Sequence, residues 1–144
     1  MTSLSLLSRA RNPTSDKYYS LQPPDVVRYF KCNHLELAGV CVFYEDNKGD
    51  AILVIEGPSR AIAAARDDLD RQAKLLCRRQ YGMSGHTLEA FRAVSHSNLI
   101  QGLLGARAWA GWHANAAQGI LHICGKDQSA VETAFSAITK LFKF

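Results

Sequence analysis

No apolar run in this chain approaches the roughly 20 residues that a membrane-spanning helix needs, and no membrane partner is expected. No Cys-x-x-Cys pair occurs either. The four cysteines, Cys32, Cys41, Cys77 and Cys124, follow one another at intervals of 9, 36 and 47 residues. That spacing declares neither a zinc site nor a disulfide framework, so they read as reduced, mostly buried thiols. His-Glu-x-x-His is absent, which leaves His34, His86, His96, His113 and His122 as hydrogen-bonded or surface histidines. Gly-x-Ser-x-Gly is absent too, so Ser95, Ser97 and Ser129 have no nucleophile-elbow context. These gaps point away from an enzyme, and no cofactor or metal is expected.

Acidic residues are missing from the first fifteen positions, MTSLSLLSRARNPTS. With Arg9, Arg11 and several serines, this stretch has the composition of a weak organelle-targeting segment. A strand over Leu4–Ser8 is the preferred reading. An intracellular protein of the nucleus or cytoplasm is expected, with mitochondrial targeting as the alternative.

What is present is an ordinary globular composition. The 144 residues are 47% hydrophobic and 21% charged, with a formal charge of +4. This predicts one compact domain over residues 1–144 with a sizeable core. The mild basicity permits a nucleic acid or an acidic protein as partner without demanding either.

Periodicity divides the chain into elements. Pro24-Asp25 opens a helix over about 24–35, with Val26, Val27 and Phe30 at helical spacing. Residues 39–56 predict a hairpin: one run rich in β-branched and aromatic residues, the turn Asn47-Lys48-Gly49-Asp50, and the nearly all-apolar AILVIEG. Glu56-Gly57-Pro58 reads as a strand stop and a sharp turn, and Ser59 as the cap of a helix running from about 60 to 79. That helix aligns Ile62, Ala65, Leu69, Ala73 and Leu76 on one stripe and places Arg71, Lys74 and Arg78 opposite. The stretch YGMSGHTLEAF reads as a reset, SHSNLIQGLLG as a short helix, and residues 106–128 as a second strand-turn-strand. A final helix over about 127–142 buries Val131, Ala134, Phe135, Ile138, Leu141 and Phe142.

The two halves echo each other, about 1–80 and 86–144. Ala38-Gly39 answers Ala110-Gly111, and Gly57 answers Gly125. The glycine-to-glycine separation is 18 residues in the first half and 14 in the second. A duplicated α-β-β-α unit follows, within an α+β, ferredoxin-like antiparallel sheet that has its helices on one face.

The stretch containing Leu35, Leu37, Gly39, Val54, Glu56, Gly57 and Pro58 resembles three ferredoxin-like families. The main resemblance is to the C-terminal domain of a U4/U6-binding splicing factor and its RWD-associated relatives. It covers NHLELAGVCVFYEDNKGDAILVIEGPSRA and a second strand ending at Gly125, and it implies RNA binding or service in protein assemblies. The chain also resembles acylphosphatase, with Arg9 and Arg11 near the first strand and Asn47 after the second. It lacks that family's glycine-rich phosphate loop, so the resemblance implies a scaffold without the catalyst. A third resemblance is to flavin-binding BLUF domains. Leu6 or Leu7 and Leu53 stand where that family has its photochemical tyrosine and glutamine, leaving Asn33 as a flavin contact.

The expected function is a non-catalytic interaction module of a macromolecular assembly, with protein and structured RNA as partners. The candidate contact residues are Arg71, Lys74, Arg78, Arg79, Arg107, Trp109 and Trp112, because cations beside exposed aromatics suit base stacking or a protein hot spot. Arg66 could widen the basic face. Gly57, Pro58, Ser59 and Gly125 read as structural. Protein-only assembly or homodimerisation is the first alternative, and a degenerate acylphosphatase-like or flavin-binding domain is the second.

Overall fold

Alternating strands flanked by amphipathic helices produce the same five-element unit twice. The computed structural model describes residues 15–47, 50–94 and 110–142. The first unit is β1 (Ser15–Tyr19), α1 (Pro24–Cys32), β2 (Cys41–Asn47), β3 (Asp50–Pro58) and α2 (Ser59–Lys74). The second is β4 (Cys77–Gly82), α3 (Gly85–Val94), β5 (Gly111–Asn115), β6 (Ile120–Gly125) and α4 (Gln128–Phe142). Each unit forms its own three-stranded antiparallel sheet, in the orders β1-β3-β2 and β4-β6-β5. The fold is α+β, a duplicated ferredoxin-like arrangement in which the last strand of a unit inserts between the first two. No helix of the described residues is long and apolar enough to cross a membrane.

The repeat is therefore β-α-β-β-α, one strand longer than the α-β-β-α expected. Both extra strands fall where the sequence signal points elsewhere. Residues 15–19 are short and charged, and read as part of a turn-rich stretch. Pairing with β3 from Ser15–Pro58 to Tyr19–Val54 makes them a strand. Residues 77–82 read as the end of a helix because Arg78, Arg79 and Gln80 are good helix formers. Six pairs with β6, from Cys77–Gly125 to Gly82–Ile120, override that preference, and α2 stops at Lys74.

Glu56-Gly57-Pro58 does not stop the strand. It continues through Pro58, with Lys17–Glu56 and Asp16–Gly57 as partners. Gly57 serves close approach instead of a turn: a Cβ there would lie 3.0 Å from Val40 Cγ1 and 3.2 Å from the Gly39 carbonyl oxygen. Ser59 is the first helical residue rather than the cap; Pro58 takes the cap position, and no side chain caps this end. Gly125 ends β6 within the ladder. In the reset stretch, α3 begins behind Ser84, whose Oγ accepts the Thr87 N–H at 3.1 Å. The strand expected at 4–8 and the helix expected across 95–105 lie outside the described residues.

Each sheet sends one face to its own helices. In the first unit Leu53 and Ile55 meet Val26, Val27 and Phe30 of α1 and Ile62, Ala65 and Leu69 of α2. In the second, Trp112, Ala114, Leu121 and Ile123 meet Leu88 and Phe91 of α3 and Val131, Ala134 and Ile138 of α4. Cys124 departs from its neighbours by belonging to the first cluster. It points through the other face of its sheet, where α1 lies across β5 and β6. Thus α1 is held between the inner face of one sheet and the outer face of the next.

Gly111 sets that approach. A Cβ at this position would lie 1.7 Å from the Asp25 carbonyl oxygen and 2.6 Å from the Tyr29 nitrogen, which no side-chain rotation relieves. Gly111→Ala is expected to lose about 3 kcal/mol in a urea unfolding experiment, the scale of an overpacked core. Gly82→Ala, whose Cβ meets open space, should stay within about 0.5 kcal/mol.

Candidate functional site

Cross-strand register puts Arg78, Cys124 and Gly111 side by side across the second sheet. Helix α1 lies over this row. The Asp25 carboxylate, 1% exposed, accepts two hydrogen bonds from Arg78, from Nε and from Nη2, each 2.9 Å. Cys124 Sγ donates to the Asp25 carbonyl oxygen at 3.3 Å. Three residues on, Arg28 Nη1 donates to the Trp112 carbonyl oxygen at 2.7 Å. A helix of the first unit is thereby keyed to all three strands of the second sheet.

This interlock accounts for several candidate contact residues. Arg78 is tied to Asp25. Its pKa rises above the usual arginine range, chiefly through that hydrogen bond and against the opposing effect of burial. Trp112 is 2% exposed and belongs to the second core, so its ring packs instead of facing a partner. Arg71 is paired with Asp68 on the same helix. Arg66 stands over the Tyr18 ring, 4.3 Å from its centroid. Lys74 and Arg78 border a cavity of about 240 Å³ beside Asp70, whose Oδ1 accepts from Gln22. Arg79 is exposed on β4, not on the helix. The expected basic face is therefore divided between two elements, and most of its cations are engaged within the chain. Arg107 and Trp109 lie outside the described residues.

Cys124 is buried and its thiol pKa is pushed up, first by burial and then by the nearby Asp25 charge. It is the reverse of an activated nucleophile. Only Cys124 is fully buried, whereas Cys41 is exposed and Cys32 and Cys77 are half-buried. His113 and His122 are direct cross-strand partners with ring centroids 6.1 Å apart. Among the described residues no group of three or more His, Cys, Asp or Glu side chains is placed to hold a metal ion. His34, at φ 55, sits in the loop after α1.

The surface that does assemble is one that sequence reading missed. The outer face of the first sheet carries the row Tyr19–Val54–Phe43 across β1, β3 and β2. Tyr19 is 52% and Phe43 48% exposed, while Val54 between them is 3% exposed. Val54 belongs to neither core cluster. The neighbouring row is Lys17–Glu56–Cys41, and Glu45 faces Ile52 on the other side. Phe43 gave a signal in the sequence as one of two adjacent aromatics. The structure settles which of them faces outward: Tyr44 packs against the inner core, where burial first and the Cys32 charge second raise its pKa to about 12.

Two measurements test the interlock. Arg78→Ala strands a buried carboxylate and should cost about 2–3 kcal/mol by urea unfolding, less than a fully buried broken pair because the Arg78 side chain is 37% exposed. The raised thiol also predicts alkaline sensitivity. Unfolded Cys124 ionises near 9.0 and the folded thiol does so only at higher pH, so its contribution to stability is intact below pH 9 and falls above it. Tyr44 adds a second loss between 10.0 and about 12. Stability measured against pH should therefore decline from about pH 9, and in Cys124→Ala the onset should move to the tyrosine window near pH 10.

Compared with known protein families, curated proteins and solved structures, the chain shows no match, so the functional reading stands on this geometry.

Proposed function

We propose that the chain is a non-catalytic interaction module whose docking surface is the outer face of the first sheet, and that its partner is a protein. The row Tyr19–Val54–Phe43 carries this reading. Two half-exposed aromatics flanking a buried valine form an apolar surface that an isolated domain gains nothing by exposing, and aromatic residues are enriched at interface cores. The charges on the same face favour protein over RNA. Lys17 is one cation against the two carboxylates Glu45 and Glu56, so phosphate groups would meet net repulsion. The cations expected to attract RNA are largely engaged elsewhere: Arg66 on Tyr18, Arg71 on Asp68 and Arg78 on Asp25.

The test uses the immobilised chain, cell extract, a nuclease and the double substitution Tyr19→Ser/Phe43→Ser. Protein retention is expected to survive nuclease treatment and to fall at least tenfold, about 1.4 kcal/mol, in the double variant. Both side chains are about half exposed, so the variant should keep its melting temperature within a few degrees. Retention abolished by nuclease, together with salt-dependent filter binding of structured RNA, assigns the face to RNA instead. Retention indifferent to both treatments removes this face from the function.

A further inference from the structure

The strands β1, β2, β4 and β5 lie at the edges of the two sheets. An edge strand turns every second residue's N–H and C=O away from its neighbour, and natural edges are blunted by charge, proline, bulges or shortness. β1 and β5 have five residues each, β1 carries Asp16 and Lys17, and β4 carries Arg78 and Arg79. β2 is less protected. It is seven residues long, contains no proline, and pairs with β3 without interruption from Cys41–Glu56 to Asn47–Asp50. Residues 41–44 carry no charge. Among the described residues β3 is the only strand that pairs with it.

A hollow of about 600 Å³ opens beside this edge. Val42 lines it, and Val42 points to the inner face with its partner Ile55, a core residue. Leu35, Leu37 and Val40, from the loop before β2, supply the rest of the apolar wall, and Glu36 and Asp68 supply two carboxylates. No lysine or arginine lines it. Arg71 pairs with Asp68 on the same helix. Glu36 is exposed and has no ion-pair partner among the described residues.

We infer that an extended segment of a partner protein adds to β2 as a further strand and seats a lysine or arginine in this hollow. Side chains alternate along a strand, so the residue set against Val42 turns to the inner face, where the hollow is. A long basic side chain suits it. The methylene stem lies against Leu35, Leu37 and Val40, and the charged end reaches Glu36 and Asp68. Main-chain hydrogen bonds to the edge supply affinity, and the side-chain pocket supplies selectivity. The same carboxylates disfavour a second copy of this chain as occupant. Antiparallel pairing of two β2 strands about Phe43 sets Glu45 and Asp46 of one copy beside the acidic hollow of the other. The inference uses the edge of the first sheet and the docking reading above uses its face, so each holds or fails without the other.

The test pans the full chain against a displayed library of random short peptides. Enriched sequences are expected to alternate β-branched or aromatic residues around one fixed lysine or arginine. The strongest is then synthesised and its binding measured by fluorescence anisotropy. Methylating the backbone nitrogens of one alternate set should weaken binding at least tenfold, whereas the other set faces away from β2 and should tolerate methylation. Exchanging the basic residue for glutamate should also cost at least tenfold, and Glu36→Lys in the chain should reverse that preference. Glu36 is exposed, and circular dichroism confirms that the variant is folded. Enriched peptides with helical spacing, or equal loss from both methylated sets, overturn strand addition. Binding indifferent to the peptide's charge and to residue 36 overturns the seat for a basic side chain. No enrichment over the bare matrix overturns the whole inference, and a stable dimer by light scattering in that case assigns the edge to a second copy.

Discussion

One buried carboxylate joins the two halves of the molecule. Asp25 lies in the first turn of α1, almost sealed from water, and its charge is met by the guanidinium of Arg78 from the second unit. An unpaired charge at that depth would be too costly to keep, so wherever Asp25 goes, Arg78 must follow. Because Arg78 sits in a cross-strand row with Cys124 and Gly111, the pair sets the line along which α1 crosses the second sheet. Gly111 then lets the helix backbone descend onto the strand. The hydrogen bond from Arg28 to the Trp112 carbonyl fixes the next turn of the helix. Burial supplies most of the favourable free energy, but this polar set decides how the units meet.

Interlocking makes a symmetric duplication asymmetric. Both units have the same strand order and the same inner face against their own helices. Their outer faces part company: one is a seat for α1, and the other presents two aromatics. The difference comes from a few side chains. Glycine and cysteine permit close approach on the second sheet, while the first carries Cys41, Glu56 and the half-exposed Tyr19 and Phe43 on its outer face. Divergence between the two units leaves one outer face covered by α1 and the other with two half-exposed aromatics.

Much of this was legible from spacing. The hairpin of Val42–Ile55, the stripe of Ile62, Ala65 and Leu69, and the last helix with Val131, Ala134 and Ile138 all appear where alternation or helical periodicity places them, because one-sided burial imposes those periods directly. The likeness of the halves showed in Gly57 and Gly125, which lie at or next to the last residue of β3 and β6. The first strand of each unit did not show. Ser15–Tyr19 and Cys77–Gly82 are short edge strands, rich in polar and charged residues, whose strand character comes from pairing partners some 40 residues away in sequence. The candidate contacts fared similarly. Trp112 has the residue type of an interface yet packs in the core, and Arg78, still part-exposed, is tied to the buried Asp25, because exposure and pairing depend on which face a neighbour covers.

The sequence by itself determined the class of fold, the repeat and the inward faces of the longer elements, since local periodicity and turn chemistry encode them. Only the tertiary structure decided that Glu56-Gly57-Pro58 continues a strand, that Asp25 reaches Arg78, and that Tyr19 and Phe43 share one exposed row. These outcomes depend on register between distant segments, and a single-residue slip in register exchanges the two faces of a strand. Which face is buried, and which is exposed, is therefore settled by assembly of the sheets and not by any one stretch of the chain.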